Sequence, residues 1–564
     1  MSETISPSSV KKPGPLRLLD EVFGREIRAE KKRLLLGYLF AFIAAVCFLF
    51  SPFFTQKLLD RALPDKDGNL ALACLGLALL SAVLYMVFNM VKTHFCAAAA
   101  ENIFLGLRTR LLATILRKPM AFFSRFEKGD LVTRLSNDVE NLAGTLYEKV
   151  LITSTFVAVL IVNYVFMIAW HWRLGLIVTA VLPLYVLFLR IVTPRLIRST
   201  AAARHKLSVQ NDVMLDIIAG FREVRLFQQV IPEVKRFQRP AADFTRRNIR
   251  AVMTADLTLI GSEGLGNIMA LVPLAVGTFF ILRGDPTITL GVLVAYDFYV
   301  VYSMYVLFYV IAGIAALFRE EPLILRLREI LDYPEEPPGE MISPEKTPET
   351  TRLEFRRVTF GYDPAAPVIR DFNLTIEPGE KIALIGPSGS GKTTLMNLLT
   401  RQFRPDAGEI RLGEDVVQNY PLPLFLLHFA YVPQQPHLFK ISIKDNISFG
   451  WYDSPMDKIV ACAKTVRIHD VIERLPHGYD TLFGLKGMNL SRGQKQRIVL
   501  ARALIRDPGI IILDEFTSSL DRETENEILA DILRIFERQT IVCVTHSPAV
   551  AAAFPRVVEM SPTR

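Results

Sequence analysis

Residues 381–399 read KIALIGPSGSGKTTLMNLL: a short apolar strand, a glycine-rich loop, and the opening of a helix. Strand, GxxxxGK[ST] loop and helix in that order are the setting of a phosphate-binding P-loop. Gly386, Pro387, Ser388, Gly389, Ser390 and Gly391 form a loop whose backbone wraps phosphates. Its N–H groups and the following helix N-terminus supply the positive potential. Lys392 is placed to reach the β- and γ-phosphates, and Thr393, followed by Thr394, offers a hydroxyl to Mg²⁺. The stretch therefore predicts nucleotide binding by an α/β P-loop NTPase domain.

Two further apolar strands supply the rest of such a site. Gly509-Ile-Ile-Ile-Leu ends in Asp514-Glu515, and carboxylates at the C-terminal ends of central parallel strands face the ligand crevice. Asp514 is expected to hold Mg²⁺ and Glu515 to accept a proton from, or orient, an attacking water. Thr540-Ile-Val-Cys-Val-Thr delivers His546 to the same edge, within reach of a γ-phosphate.

Upstream the chain has a different character. It is 564 residues long and 51% hydrophobic, and this apolarity is concentrated in roughly the first 320 residues. A helix needs about 20 apolar residues to cross a bilayer. Six runs qualify: 34–54, 70–91, 150–170, 174–193, 257–282 and 290–318. Residues 55–69, the His171–Arg173 turn and residues 283–289 are short and poor in cations. The N-terminal segment and the intervals 92–149 and 194–256 are rich in them, including Arg108, Arg110, Arg117, Lys118, Arg204, Lys206, Arg246, Arg247 and Arg250. Excess Lys and Arg marks the cytoplasmic side, which predicts both termini and both long intervals inside. The same placement explains the net charge of +8 without nucleic acid. The N-terminus lacks a signal-peptide pattern, so the first span is expected to act as its own insertion signal. Cys47, Cys74, Cys96, Cys462 and Cys543 fall at neither metal-ligand nor redox spacing and read as buried thiols.

The long intervals keep apolar residues at helical spacing, as in Phe104, Leu107, Leu111 and Ile115, so the spans are expected to continue into the cytoplasm. Pro119–Asp130 and Gly220–Phe227 interrupt them and are suited to carry motion to a soluble domain. Acidic residues inside spans cost about 2.5–3.5 kcal/mol on insertion scales, which makes Asp297 and Glu263 functional suspects. The alternative is an interhelical hydrogen bond or a water-exposed position, favoured for Glu263 near the inner interface. The sixth span carries Tyr296, Tyr299, Tyr302, Tyr305 and Tyr309. The last four cover about one third of its circumference, either as a wall for an amphipathic cargo or as packing and interface anchors. Asp297 lies off that face.

Composition places the boundaries. Residues 1–33 form an N-terminal cytoplasmic segment, 34–332 a polytopic helical membrane domain, 333–350 a proline- and glutamate-rich linker, and 351–564 the nucleotide-binding domain.

The ATPase half resembles the ABC ATPase family across the whole domain. Tyr362, in FGYDP, matches the aromatic that stacks on adenine, and Gln434, in YVPQQ, the Q-loop glutamine that senses Mg²⁺ and the γ-phosphate. LSRGQKQR from Leu490 matches the signature motif, Ser518–Asp521 the D-loop, and His546 the switch histidine. Leu116–Phe123 with Gly129–Val139, and Ala219–Phe227, are similar to the two intracellular loops of ABC exporters, which hold coupling helices. With the six spans, the chain resembles an exporter half-transporter over nearly its full length. The resemblance implies ATP and Mg²⁺ as cofactors, and a second ABC protomer, identical or different. Ser491, Gly493 and Gln494 then face the ATP held by that partner. It also implies residence in a lipid bilayer, a bacterial inner or plasma membrane, and export of a hydrophobic or amphipathic solute, lipid or peptide. Uptake, as in siderophore importers of the same fold, is the rival direction. A soluble ABC ATPase acting on DNA or ribosomes is excluded by the spans, and Glu515 argues against a regulatory subunit with little turnover. No peptidase-like domain precedes the first span, so leader-peptide maturation is not expected. Two positions depart from the pattern: Arg492 stands where the signature has glycine, and Leu485 where exporters carry a glutamate. Arg492 implies either a tolerated variant in a homodimer or a weakened signature in a heterodimer.

Overall fold

The structure is a computed structural model that describes residues 15–145, 152–335, 350–363, 366–387, 389–484, 490–516 and 522–561. It divides into two units, Met1–Leu116 with Glu127–Tyr333, and Arg117–Phe126 with Pro334–Arg564. Most of the 333–350 linker, Leu485, Ser388 and the Ser518–Asp521 segment lie outside the described residues.

The first unit is helical. An amphipathic helix α1 (Pro15–Ala29) precedes α2 (Lys31–Lys57), α3 (Gly68–Leu116), α4 (Ile152–Trp170), α5 (Trp172–Ala219), α6 (Val230–Leu282) and α7 (Leu290–Asp332). Among the described residues five helices are long and apolar enough to cross a membrane. The apolar stretch Thr155–Trp170 of α4 is shorter than that length, and the residues just before α4 are not described. At 1.5 Å per residue α3, α5 and α6 reach roughly 72–80 Å, more than twice the ~30 Å of a hydrocarbon core. The helices therefore run on beyond the apolar stretches, as the spacing of Phe104, Leu107, Leu111 and Ile115 predicts; all four are buried. Leu72, Leu79, Met86 and Met90 of α3, in contrast, are each 65–76% exposed, an apolar stripe suited to lipid.

Short helical turns occupy the two interruptions. Met120–Arg125 follows Pro119, whose extended backbone caps it, and Phe221–Leu226 sits between Gly220 and Phe227. After the first of them, Asp130, Arg134 and Asp138 form an ion-pair cluster with the base of α7. Arg134 meets Asp130 at 2.8 Å and Glu329 at 2.9 Å, and Arg326 meets Asp130 at 2.6 Å and Asp138 at 2.9 Å. At the other end of α7, Asp60 accepts hydrogen bonds from the Gly291 N–H at 2.8 Å and from the Thr289 hydroxyl. A Cβ on Gly291 would come within 2.7 Å of that carboxylate, so a larger residue would displace it from these bonds.

Buried polar groups tie α7 to its neighbours. Asn163 of α4 donates to the Ser303 hydroxyl at 2.7 Å and to the Tyr299 carbonyl at 3.1 Å. The Tyr296 hydroxyl donates to the carbonyls of Met167 and His171, and the Tyr299 hydroxyl to that of Leu49. Such pairings satisfy groups that would otherwise be stranded in an apolar setting. They also divide the tyrosine row. Tyr296 and Tyr299 are buried, and Tyr302 stacks on Phe48 with ring centroids 4.0 Å apart. Tyr299 and Tyr302 are thus packed between helices, Tyr299 through its hydroxyl and Tyr302 through its ring. Tyr305 and Tyr309 are exposed. Asp297 is half-buried and, like Tyr299 and Tyr302, does not line the cavity beside α7.

The second unit carries two sheets. β1 (Leu353–Phe360), β2 (Ile369–Ile376), β4 (Ala407–Leu412) and β5 (Asp415–Val416) form an antiparallel sheet in the order β2-β1-β4-β5. β3 (Lys381–Ile385), β6 (Phe429–Val432), β7 (Ile510–Asp514), β8 (Thr540–Val544) and β9 (Arg556–Glu559) form a parallel sheet in the order β6-β7-β8-β3-β9. β7 and β8 are buried along their whole length, which is why their sequences are unbroken apolar runs. The helix α8 (Lys392–Leu399) leaves the P-loop, and α9 (Arg492–Leu504) opens at the signature motif.

Asn163→Ala should remove both of its links to α7. Interhelical hydrogen bonds in membranes average about 0.6 kcal/mol and reach about 1.7. We expect a lower midpoint for thermal loss of monodispersity in detergent, with Asn163→Gln losing less.

Candidate functional site

Parallel pairing sets the site. Leu384 of β3 and Asp514 of β7 both pair with Val544 of β8, so three strands end level with one another. The loops leaving them place Gly386–Lys392, Asp514-Glu515 and His546 at one edge. Backbone hydrogen bonds continue the register past the strands: Thr545 N–H donates to Leu384 at 3.1 Å and Glu515 N–H to Val544 at 2.9 Å.

In the P-loop, Gly386 takes a φ of +152°, and a Cβ there would lie 2.4 Å from the Met560 carbonyl oxygen. No other residue fits against that backbone. Lys392, buried at the start of α8, donates to the carbonyls of Gly386 at 2.8 Å and Pro387 at 2.9 Å. Burial holds its ammonium below the usual lysine range, opposed by the charges of Glu515 and Asp514. The Ser390 hydroxyl oxygen is buried without a hydrogen-bond partner among the described residues, an acceptor and donor left for a ligand of this loop. Thr393 is exposed beside it, and Thr394 lies 3.2 Å from the Tyr362 hydroxyl. Tyr362 is itself 55% exposed and braced edge-on by Phe360 and Phe403, which leaves ring surface for a base.

Glu515 is the centre of the arrangement. Its backbone sits at φ +42°, a left-handed conformation that is costly for a side-chain-bearing residue and is retained where the surroundings over-determine it. Its Oε1 meets His546 Nε2 at 2.6 Å, and its Oε2 accepts from the Gln434 amide at 2.7 Å. The structure thus brings together residues from the loop after β6 and from the ends of β7 and β8, three places far apart in the chain. Asp514 is buried and accepts from the Tyr431 hydroxyl at 2.6 Å. Burial first, and that bond second, push the Tyr431 phenol above its ordinary range. Tyr431 was invisible as a site residue in the sequence. Its position on β6, just ahead of Gln434, is the only signal, and it requires knowing that β6 pairs with β7.

At α9, Ser491 caps the helix in a reciprocal capping box. Its hydroxyl accepts from the Gln494 N–H at 3.2 Å, while its own N–H donates to Gln494 Oε1 at 2.9 Å. Gly493 lies in the first turn. The Arg492 guanidinium donates to the Gln434 carbonyl at 3.1 Å, so it reaches a residue of its own chain. The Thr393 hydroxyl, the Asp514 carboxylate and the Gln434 amide oxygen would offer Mg²⁺ the hard oxygen donors which that ion takes alongside phosphate.

Comparison with known proteins adds two findings. The family described as the ABC transporter transmembrane region matches residues 34–309, and the family described as ABC transporter matches residues 369–518. The chain is 31% identical over 544 residues to the mouse mitochondrial ATP-binding cassette sub-family B member 10, covering 92% of this chain and 74% of that protein. It is 30% identical over 473 residues to the ATP-dependent lipid A-core flippase of Aromatoleum aromaticum, covering 80% and 75%. It is 29% identical over 523 residues to the toxin RTX-I translocation ATP-binding protein of Actinobacillus pleuropneumoniae, covering 91% and 72%.

Tyr431→Phe deletes the hydroxyl that orients Asp514. Loss of such an outer partner typically costs about 10–100-fold in metal affinity. The Mg²⁺ concentration for half-maximal nucleotide hydrolysis should rise by about tenfold in a titration with nucleotide held constant.

Proposed function

Because the chain belongs to the ABC transporter family, with the transmembrane region and the ATP-binding domain in one polypeptide, we propose that it exports a hydrophobic or amphipathic solute, lipid or peptide as one half of a dimer. The chain is an ATPase-coupled membrane transporter. Export of lipid or peptide agrees with the flippase and toxin-translocation names of two relatives. In this reading the N-terminus and the ATPase domain are cytoplasmic, which the cation-rich intervals support, and the membrane is a bacterial inner or plasma membrane.

The observation that carries the catalytic reading is the clasp of Glu515 between Gln434 and His546. The P-loop from Gly386 through Ser388 to Thr394 cradles the phosphates, and Tyr362 stacks on the adenine. Glu515 orients the attacking water and accepts its proton as the water oxygen bonds the γ-phosphorus and the bond to ADP breaks. Lys392 and His546 hold the γ-phosphate. When bound, Mg²⁺ neutralises charge on the phosphates, held by Thr393, Asp514 and Gln434. Ser491, Gly493 and Gln494 close over ATP bound to the second protomer, which makes dimerisation a condition of turnover.

Arg492 bears on that closure. Its bond to the Gln434 carbonyl links the signature helix to the loop that holds Glu515. Releasing the tether frees Gln434 and lets α9 approach the partner's nucleotide as glycine does in the family pattern.

Glu515→Gln should bind ATP and abolish steady-state hydrolysis, read as phosphate release and as retention of labelled ATP; hydrolysis near the normal rate would remove Glu515 from this role. Arg492→Gly should raise turnover several-fold, whereas an unchanged rate marks the arginine as a tolerated variant. The chain purified alone should form dimers and hydrolyse ATP if the second protomer is a copy. Activity that appears only when a different half-transporter is added would identify a heterodimer.

A further inference from the structure

The first unit contains a cavity of about 240 Å³ between α6 and α7, floored by Tyr185 of α5. Two stripes face each other across it. On α6 they are Leu259, Ser262, Glu263, Gly266 and Asn267, and on α7 Val301, Met304, Tyr305, Phe308 and Tyr309. Both follow the i, i+3, i+4, i+7, i+8 pattern of a single helix face, so the cavity is built from two complete faces rather than from a loop. The floor is closed by close packing: a Cβ on Gly266 would lie 3.2 Å from the Met304 Cβ, and the Tyr185 hydroxyl bonds the Ser262 hydroxyl.

The charge in this cavity is unbalanced. Glu263 is exposed and has no hydrogen bond or ion pair among the described residues, and no Lys, Arg or His lines the cavity. It lies six residues inside the apolar stretch that begins at residue 257, roughly 9 Å along the helix. A carboxylate at that depth is expensive and marks a functional position. The same cavity is lined by aromatic rings with exposed surface: Tyr305 is 52% and Tyr309 38% exposed, their centroids 4.7 Å apart. One carboxylate facing aromatic rings, with apolar walls from Val301, Met304 and Phe308, is a recognition set for an organic cation. The ring faces attract the positive charge and its substituents, and the carboxylate neutralises it. It disfavours an anion, which would meet an unscreened negative charge in an apolar setting.

We infer that this cavity binds the cationic group of an amphiphile, with Glu263 as its counter-ion and Tyr305 and Tyr309 as its aromatic wall. This rests on the reading of the chain as a pump for an apolar or amphipathic cargo, and it names the class of that cargo. Glu263 thereby takes the role for which Asp297 was the stronger candidate in the sequence.

The test uses the full chain in phosphatidylcholine nanodiscs and two probes of one shape and opposite charge, tetraphenylphosphonium and tetraphenylborate. Protein-free discs give the partition background. Tetraphenylphosphonium should bind saturably and tetraphenylborate should not compete. Glu263→Gln should weaken cation binding about tenfold, equivalent to about 1.4 kcal/mol of lost carboxylate–cation attraction. Tyr305→Leu should also weaken it, and Glu263→Lys should abolish it and admit tetraphenylborate. Absence of saturable cation binding, equal binding of the two probes, or unchanged binding in Glu263→Gln and Glu263→Lys would each overturn the assignment. Phosphate release by the normal chain and by Glu515→Gln in the same discs separates the two readings. If hydrolysis depends on Glu515 but the cation does not bind, the cargo class alone is wrong. If hydrolysis persists in Glu515→Gln, the pump mechanism itself fails.

Discussion

The level endings of β3, β7 and β8 are the constraint on which the nucleotide site depends. Parallel strands in one sheet carry their loops at the same edge, so Gly386, Glu515 and His546 lie at one edge although the chain visits them far apart. The apolar character of these strands follows from burial on both faces. The left-handed backbone at Glu515 is the local cost of that arrangement. It sets the carboxylate between Gln434 and His546, where both oxygens are engaged.

The membrane unit obeys a different requirement. Where water is absent, each polar group needs an internal partner, and the long helices meet this for the backbone. Side chains then sort by whether a partner is within reach. Asn163, Tyr296 and Tyr299 find carbonyls or hydroxyls on neighbouring helices and become ties between α2, α4 and α7. Glu263, Tyr305 and Tyr309 face an open cavity instead, and their chemistry remains available to a ligand.

Arg492 shows how one residue alters the use of a helix terminus. The capping box of Ser491 and Gln494 holds the start of α9 whichever side chain occupies its first position, so the helix tolerates an arginine there. That side chain is long enough to reach Gln434, whose amide touches Glu515. A glycine makes no such link.

The two-part character of the chain, the P-loop, the carboxylates after β7 and the histidine after β8 were all legible in the sequence. Strand, glycine loop and helix occur there in local order, and apolar runs of strand or span length leave few alternatives. Packing decided the rest. Tyr431 became visible as the partner of Asp514 only once β6 paired with β7. The tyrosines of α7 looked equivalent at helical spacing, yet neighbours that come from distant parts of the chain bury Tyr296 and Tyr299 and stack Tyr302, and they leave Tyr305 and Tyr309 open. Glu263 and Asp297 were both acidic residues in apolar helices, and periodicity could not say which faced a cavity. Helical spacing fixes which residues share a face, but what lies opposite that face is set by side chains brought from elsewhere in the chain.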